Sequence, residues 1–120
     1  MQIAITSQGA DITSQVDSRF GRAKFFIVAD TEAGGWAAHD NAQNLNAAQG
    51  AGIQAAQNVV GLNLEAVITG NVGPKAFSVL KAGGIAVYIG ARGSVSDALE
   101  QLKAGELECV TEANVEGHWV

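Results

Sequence analysis

Two consecutive strand–turn–helix patterns in the second half of the chain most constrain its fold. Ala66–Ile68 is a short apolar run that leads through a glycine-containing turn to Pro74, a residue favoured in the first turn of a helix. Residues 85–89 repeat the apolar run, and Ser94 or Ser96 can cap the helix that follows. Because two consecutive strand–helix units imply parallel strands joined by right-handed crossovers, the chain is predicted to be an α/β protein.

The first half of the chain predicts strands of a different arrangement. Residues 3–5 form a short apolar run typical of a buried first strand. Phe25–Asp30 and Trp36–Asp40 predict two further strands that are joined as a hairpin through Gly34 and Gly35. The sheet is therefore expected to be mixed, with five strands in all and helices on both faces.

Apolar residues at helical spacing predict three helices. Their inward faces are expected to carry Ile53, Ala56 and Val60 in the first helix, Ala76, Phe77 and Leu80 in the second, and Leu99 and Leu102 in the third. Residues 40–52, rich in Asn, Gln, Ala and Gly, have no clear apolar stripe and predict a mobile loop. No element is predicted for residues 107–120.

Length and composition predict a single domain over residues 1–120. Of these residues 48% are hydrophobic, enough for a core of ordinary size, and no apolar run is long enough to cross a membrane. No signal peptide is recognised, so a cytoplasmic location is expected. A net charge of −5 argues against general nucleic-acid binding. Cys109 is the only cysteine, which excludes an iron–sulfur cluster held by several cysteines of one chain and favours a buried packing role for that residue.

Glycine-rich turns beside cationic residues predict a pocket for an anion. Arg19-Phe20-Gly21-Arg22 sets two guanidinium groups around a glycine that permits positive φ and close backbone approach. Similar turns follow the other predicted strands or precede helices. The candidate binding residues are Arg19, Phe20, Gly21, Arg22, Gly50, Gly52, Gly70, Asn71, Gly73 and Arg92. The alternative is that these residues only shape turns, with Arg19 and Arg22 solvated and Asn71 capping a helix.

Several motifs together resemble one known family. They are residues 1–5, 16–23, 50–52, 67–76 and 80–88 (MQIAI, VDSRFGRA, GAG, VITGNVGPKA and LKAGGIAVY), and they span nearly the whole chain. They are similar to the dinitrogenase iron–molybdenum cofactor biosynthesis family. The resemblance implies a ribonuclease-H-like α/β fold and a role in binding or carrying molybdenum-containing metal–sulfur clusters. It is strongest to a branch that holds an inorganic molybdenum–copper sulfide cluster without covalent protein ligands.

Two departures from the family pattern bear on how such a cluster would be held. Many family members have histidine where this chain has Arg19, and again where it has Gln49. Both candidate imidazole ligands are therefore missing, whereas charge and backbone N–H groups can still retain an anion that carries its own sulfides. His39 and His118 lack the spacing of paired ligands and are expected to have surface or packing roles, whereas Trp36 and Trp119 are expected to be packing residues.

The chain is expected to be a binding protein rather than an enzyme. It has no P-loop, no dinucleotide fingerprint and no serine–histidine–aspartate set. A metal-dependent phosphodiesterase would need converging carboxylates, and Asp11, Asp17, Asp30 and Asp40 do not obviously converge. A protein-interaction module without metal, acting through the acidic C-terminal tail and residues 40–52, is the other alternative.

Overall fold

A computed structural model describes residues 1–41 and 51–111 and shows a six-stranded mixed sheet with three α-helices in those ranges. The strands are β1 (Gln2–Ser7), β2 (Phe25–Asp30), β3 (Trp36–Asp40), β4 (Ala66–Ile68), β5 (Ala86–Ile89) and β6 (Glu108–Val110). The helices are α1 (Ala51–Val60), α2 (Pro74–Ala82) and α3 (Val95–Lys103), and a 3-10 helix spans Phe20–Arg22. None of the described helices is long and apolar enough to cross a membrane.

The strand order is β3-β2-β1-β4-β5-β6, with parallel pairing only at the centre. β1 pairs parallel with β4, and β4 pairs parallel with β5. The β2–β3 hairpin adds two antiparallel strands on one side, and β6 adds one on the other. The predicted mixed sheet is therefore confirmed, whereas the predicted count of five strands is wrong. The missed strand, β6, has only the three residues Glu-Cys-Val, which are too few for a periodic signal.

The sheet has a separate hydrophobic core on each face. Neighbouring residues of one strand point to opposite faces and therefore pack in different cores. On one face, Ala4, Phe26 and Val67 pack with α1 and α2. On the other face, Ile3, Ile27 and Ile68 pack with α3 and with the loop after β1, and neighbours of this cluster include Ile12, Leu99 and Leu102. The expectation of helices on both faces is therefore confirmed.

The helices lie where the sequence predicts them, but the buried face of α1 differs from the predicted face. Ala76, Phe77 and Leu80 of α2 are buried as predicted. In α1 the buried positions are Gly52, Ala55, Ala56 and Val59, while Ile53 and Val60 are only half-buried. The predicted inward face of α1 is therefore rotated, because a close helix contact uses its small residues.

The segment predicted as a loop over residues 40–52 is only partly described. Asp40 belongs to β3, the backbone of Ala51 and Gly52 is helical, and residues 42–50 lie outside the described residues. The loop prediction is thus wrong at both of its ends. Asn41, directly after β3, is 1% exposed and belongs to the interior.

The N-terminus of α3 carries a complete capping box. The Ser94 hydroxyl accepts the N–H of Asp97 at 3.0 Å, and the Asp97 carboxylate accepts the N–H of Ser94 at 3.0 Å. Of the two serines proposed from the sequence, Ser94 is thus the cap, while Ser96 is an exposed residue within the helix.

Ser94→Ala should lower the free energy of unfolding by about 0.5–2 kcal/mol, because the N–H of Asp97 loses its acceptor. Urea denaturation of the variant measures this loss. Ser96→Ala is the matched control and should change stability by no more than about 0.5 kcal/mol. Equal effects of the two substitutions would contradict the assigned cap.

Candidate functional site

The three parallel strands end at one edge of the sheet, which we call the carboxyl edge. It is formed by the ends of β1, β4 and β5 at Ser7, Ile68 and Ile89. The chain leaves β1 towards β2 on one side, and leaves β4 through α2 towards β5 on the other. The strand order therefore reverses between β1 and β4, and in open α/β sheets ligands bind at such a reversal. We call the region just beyond these two strand ends the switch crevice.

Two of the predicted glycine-rich turns meet across the switch crevice. Arg19 and Asn71 form a parallel β-bridge, in which the N–H of Phe20 donates to the carbonyl of Asn71 at 3.2 Å. The Asn71 side-chain amide donates in turn to the carbonyl of Ser18 at 3.1 Å. The alternative role of Asn71 as a helix cap is wrong, since Gly73 is the N-cap residue of α2.

A buried polar cluster underlies this junction. The hydroxyl of Thr6 donates to the carbonyl of Asp17 at 2.7 Å and lies 3.0 Å from the hydroxyl of Thr69. The Asp17 carboxylate, 8% exposed as a residue, accepts the N–H of Arg19 at 2.9 Å. Because both bonds of Thr6 are buried and the bond from Arg19 to Asp17 is partly buried, the cluster fixes the position of the turn at Arg19 relative to both strands. Sequence reasoning missed Thr6 and Thr69, although a threonine directly after each apolar strand was the available signal.

In the motif at residues 19–22, Phe20 packs in the core, and Arg19 and Arg22 supply two cations. Phe20 is fully buried, and its ring centroid lies 5.5 Å from that of Phe26 in the core. Gly21 is also buried and helical, and it does not adopt the positive φ that glycine permits. Arg19 is exposed and Arg22 is half-buried. The structure gives Phe20 a packing role, which holds the arginines at the surface; contact of Phe20 or Gly21 with a ligand stays a prediction.

Asn41 ties the end of β3 to the same turn. Its buried side-chain amide donates to the carbonyl of Ala23 at 2.8 Å, and its backbone N–H donates to the carbonyl of Lys24 at 2.8 Å. These bonds hold the chain directly after Arg22. Nothing in the sequence distinguishes Asn41 from the polar residues around it, which is why its role was not predicted.

The turn after β5 joins the carboxyl edge as well. The N–H of Gly90 donates to the carbonyl of Gly70 at 3.3 Å, so this turn contacts the turn after β4. Arg92 is exposed, and its backbone exchanges two hydrogen bonds with the Gln101 side chain of α3, at 3.1 and 2.8 Å. Arg92 thus lies at the predicted edge with its backbone held on the α3 side of the sheet.

The other predicted site glycines have different positions. Gly73 begins α2 at the carboxyl edge without a side-chain cap, which leaves the first-turn N–H groups of α2 uncapped by a side chain. Gly52 is buried in α1, whose residues contact the 3-10 helix. Gly50 lies outside the described residues. The junction therefore brings together Arg19, Phe20, Gly70 and Asn71, with Arg22 and Gly73 on the elements directly attached to it.

Within residues 1–41 and 51–111, no three His, Cys, Asp or Glu side chains come close enough to hold a metal ion. Cys109 is exposed on β6, so the prediction of a buried packing role is wrong; a three-residue edge strand leaves it uncovered. His39 is exposed on β3, as expected of a surface residue. His118 and Trp119 are outside the described residues. Trp36, expected to pack, is 41% exposed.

Asp11, Asp17 and Asp30 accept backbone N–H groups of nearby turn residues, whereas Asp40 ends β3. Asp30 and Asp40 stand at opposite ends of the β2–β3 hairpin, as their register shows. The N–H groups of Ala33 and Glu32 hold the pKa of Asp30 below its ordinary value. In the same way, hydrogen bonds from Thr13 lower the pKa of Asp11. The expectation that these carboxylates do not converge is therefore confirmed for the described structure.

Gly70→Ala should separate the two turns of the crevice. A Cβ atom at position 70 would lie 2.8 Å from Cα and 2.9 Å from the carbonyl oxygen of Ser18, both rigid backbone atoms. The expected cost is about 1–3 kcal/mol in the free energy of unfolding, measured by urea denaturation. Gly61→Ala is the matched control, because its nearest contact would be an ordinary 3.5 Å. A Gly70 variant as stable as the Gly61 variant would show that the turns are not in close contact.

Comparisons with known proteins agree with this architecture. The structure superimposes on the apo form of the orange protein from Desulfovibrio gigas with a TM-score of 0.91, at 35% identity over 95% of this chain and 96% of that one. A Thermotoga protein provisionally described as NifB gives a TM-score of 0.83, at 39% identity over 97% of this chain and 98% of that one.

Sequence comparisons identify one curated relative and one family model. An uncharacterised protein of Methanocaldococcus jannaschii is 30% identical over 97 residues, which are 79% of this chain and 82% of the relative. The family model described as dinitrogenase iron–molybdenum cofactor matches residues 1–105. This match includes both turns of the switch crevice and all three helices of the described structure. The chain therefore belongs to the dinitrogenase iron–molybdenum cofactor family.

Proposed function

We propose that this protein binds an anionic molybdenum-containing sulfide cluster at the switch crevice, without covalent protein ligands, for storage or delivery. A molybdenum–copper sulfide cluster, the cargo expected from the sequence resemblance, is the first candidate. The observation that carries the proposal is the junction of the Arg19 and Asn71 turns. It places an exposed guanidinium at the strand reversal of a family associated with the iron–molybdenum cofactor.

The charge distribution supports an anionic ligand. The chain carries a net charge of −5, yet the carboxyl edge holds Arg19, Arg22, Lys24, Lys75 and Arg92, five of its seven Lys and Arg residues. Among the described residues, no carboxylate forms an ion pair with Arg19, and the Asp17 carboxylate is engaged by the backbone of the same turn. A guanidinium that is exposed and held by a fixed backbone can donate several hydrogen bonds to one anion.

The backbone N–H groups at the start of α2 are a second feature that favours the binding of an anion. Because α2 begins at the carboxyl edge with Gly73 as an N-cap that supplies no side-chain acceptor, its first-turn N–H groups and helix dipole favour a negative ligand there. Lys75, in the first turn of α2, adds a formal charge. Retention would therefore combine a local positive potential with several N–H donors.

The side chains that could ligate a metal are few, which favours retention of the cluster by charge and N–H groups over direct ligation by the protein. A metal that prefers soft ligands needs several thiolates or imidazoles. The described residues supply one thiolate, Cys109, on the edge strand β6, and one imidazole, His39, on the edge strand β3. An inorganic cluster that carries its own sulfide ligands requires no thiolate from the chain. The replacement of the family histidines by Arg19 and Gln49 is consistent with retention by charge.

A non-catalytic role is part of the proposal. Phosphodiester cleavage by bound metal ions requires carboxylates that meet at one point, and Asp30 and Asp40 lie at opposite ends of their hairpin. The cytoplasmic location and the ribonuclease-H-like classification stay predictions from the sequence.

Replacing both Arg19 and Arg22 by Ala should weaken cluster retention. Each lost charged hydrogen bond costs about 1.5–3 kcal/mol, which corresponds to roughly a tenfold loss of affinity or more. The protein is incubated without oxygen with tetrathiomolybdate, with and without cuprous ion, and then desalted. Molybdenum per chain and the visible absorption of the eluted protein measure retention.

Two controls make this test specific. Lys81→Ala combined with Lys103→Ala removes the same formal charge from the last turns of α2 and α3 and should retain the cluster like the parent. Cys109→Ser should leave the visible spectrum and stoichiometry unchanged. Equal retention by the Arg19/Arg22 variant and the parent would refute the proposed site, and loss of the spectrum in a folded Cys109→Ser variant would instead indicate thiolate ligation.

A further inference from the structure

The turn after β5, residues 90–93, is bonded to the segments on both sides of the switch crevice. At its start, the N–H of Gly90 donates to the carbonyl of Gly70, in the turn after β4, at 3.3 Å. At its end, the carbonyl of Gly93 accepts the N–H of Val16, in the loop after β1, at 2.9 Å. This turn, which we call the β5 turn, therefore connects the chain segments that leave β1 and β4.

These two bonds and the bridge between Arg19 and Asn71 close a ring of backbone contacts. Asn71 directly follows Gly70, and Arg19 is three residues after Val16, so each segment takes part in two of the contacts. Arg92 lies within the β5 turn, between its two bonded glycines. The backbone of Arg92 is thus part of the same ring that carries Arg19.

The conformation of the β5 turn leaves Arg92 at the surface. Gly90 and Gly93 have positive φ values of 88° and 81°, which glycine adopts without strain. Between them, Ala91 is 9% exposed and packs in the core on the α3 face, whereas Arg92 is exposed. In the part of the chain that the structure describes, no carboxylate forms an ion pair with Arg92.

The side chain of Gln101, from α3, holds the Arg92 backbone with two hydrogen bonds. Its Oε1 accepts the N–H of Arg92 at 3.1 Å, and its Nε2 donates to the carbonyl of Arg92 at 2.8 Å. A side-chain amide offers the same donor and acceptor as a peptide group, so the pair of bonds fixes both the position and the orientation of this backbone. The only role these bonds serve directly is to restrain Arg92.

We propose that Gln101 is a positioning residue of the anion site, which it serves by holding Arg92 so that the guanidinium contacts the bound cluster from the α3 side. This inference rests on the function proposed above. Guanidinium groups on two separate turns, Arg19 and Arg92, would donate to a multi-sulfur anion from different directions. A restrained backbone lowers the conformational entropy that each contact loses on binding.

The alternative is that Arg92 acts through its charge alone. A positive charge at the carboxyl edge attracts an anion whether or not its backbone is restrained, and added salt screens this attraction. The two bonds from Gln101 separate these modes, because they can be removed without changing the charge of the protein.

Equilibrium dialysis against tetrathiomolybdate and cuprous ion, without oxygen, measures the affinity of each variant. Arg92→Ala should raise the dissociation constant roughly tenfold or more, because charged hydrogen bonds are lost. Gln101→Met keeps the length and helix propensity of the side chain but neither bond, and should raise the constant roughly threefold to tenfold. Gln57→Met, at an exposed glutamine of α1, is the matched control and should leave it unchanged. Parent-like binding by Gln101→Met, with weakened binding by Arg92→Ala, would overturn the proposal in favour of charge alone.

The double variant tests whether Gln101 acts through Arg92. Once Arg92 is replaced by Ala, the further change Gln101→Met should alter the dissociation constant by less than about twofold. Additive effects of the two substitutions would show that Gln101 influences binding by another route, and would contradict its assignment as a positioning residue.

Amide hydrogen exchange of the ligand-free protein separates failure of this inference from failure of the proposed function. Gln101→Met should speed exchange of the Arg92 amide and leave that of Asp97, held by the capping box, unchanged. An Arg92 amide that exchanges at the parental rate would overturn the positioning role by itself. A parent that binds no cluster in the dialysis, with the expected exchange at Arg92, would instead contradict the proposed function and with it the contact of Arg92 with an anion.

Discussion

The pairing of Arg19 with Asn71 is the contact on which the candidate site depends. It joins the loop after β1 to the loop after β4 at the point where the strand order reverses. Without this bridge the two loops would be separate surface turns. The backbone would then not hold the cations of the carboxyl edge in fixed positions relative to one another. The approach is close enough that position 70 requires glycine, because a Cβ atom there would overlap the backbone of Ser18.

Interior hydrogen bonds keep this contact in place without using the groups that would face a ligand. Thr6 and Thr69 lie at the ends of β1 and β4, and Asp17 uses its carbonyl and carboxylate to bind Thr6 and the N–H of Arg19. Phe20 fills the core beneath the same turn. The Arg19 guanidinium is left at the surface on a backbone that is fixed from two sides. A site built in this way can hold a preformed anion with little reorganisation, and lower ordering costs mean tighter binding.

Much of the fold followed from local sequence signals, and the exceptions have physical causes. The hairpin of β2 and β3, the start of α2 at Pro74 and the capping box at Ser94 were predicted because turn and capping residues act over a few positions. β6 was missed because three residues are too few to show a periodic pattern, and its pairing with β5 is a tertiary interaction. On the inward face of α1, Ala56 is buried as predicted, whereas Gly52, Ala55 and Val59 are buried in place of the predicted Ile53 and Val60.

For the candidate site, the sequence indicated which glycine-rich turns take part, but it did not indicate the hydrogen bonds that join them. Arg19, Gly70 and Asn71 were identified as belonging to glycine-rich turns, and the structure brings those turns into contact. Asp17, Thr69 and Asn41 were not assigned to the site, because burial of a polar side chain depends on distant parts of the chain. The exposure of Cys109 was also not predictable from its residue type, since it depends on the edge position of β6.

Metal analysis of the native protein tests the central claim most directly. The protein is purified without oxygen from cells supplied with molybdenum, and its metals, sulfide and visible absorption are measured together. Retention of an anionic cluster predicts molybdenum and acid-labile sulfide at a fixed ratio to the chain, with visible charge-transfer bands that persist through gel filtration. Copper at a fixed ratio to molybdenum would identify the molybdenum–copper form. A colourless native protein without molybdenum or sulfide would contradict the proposed function.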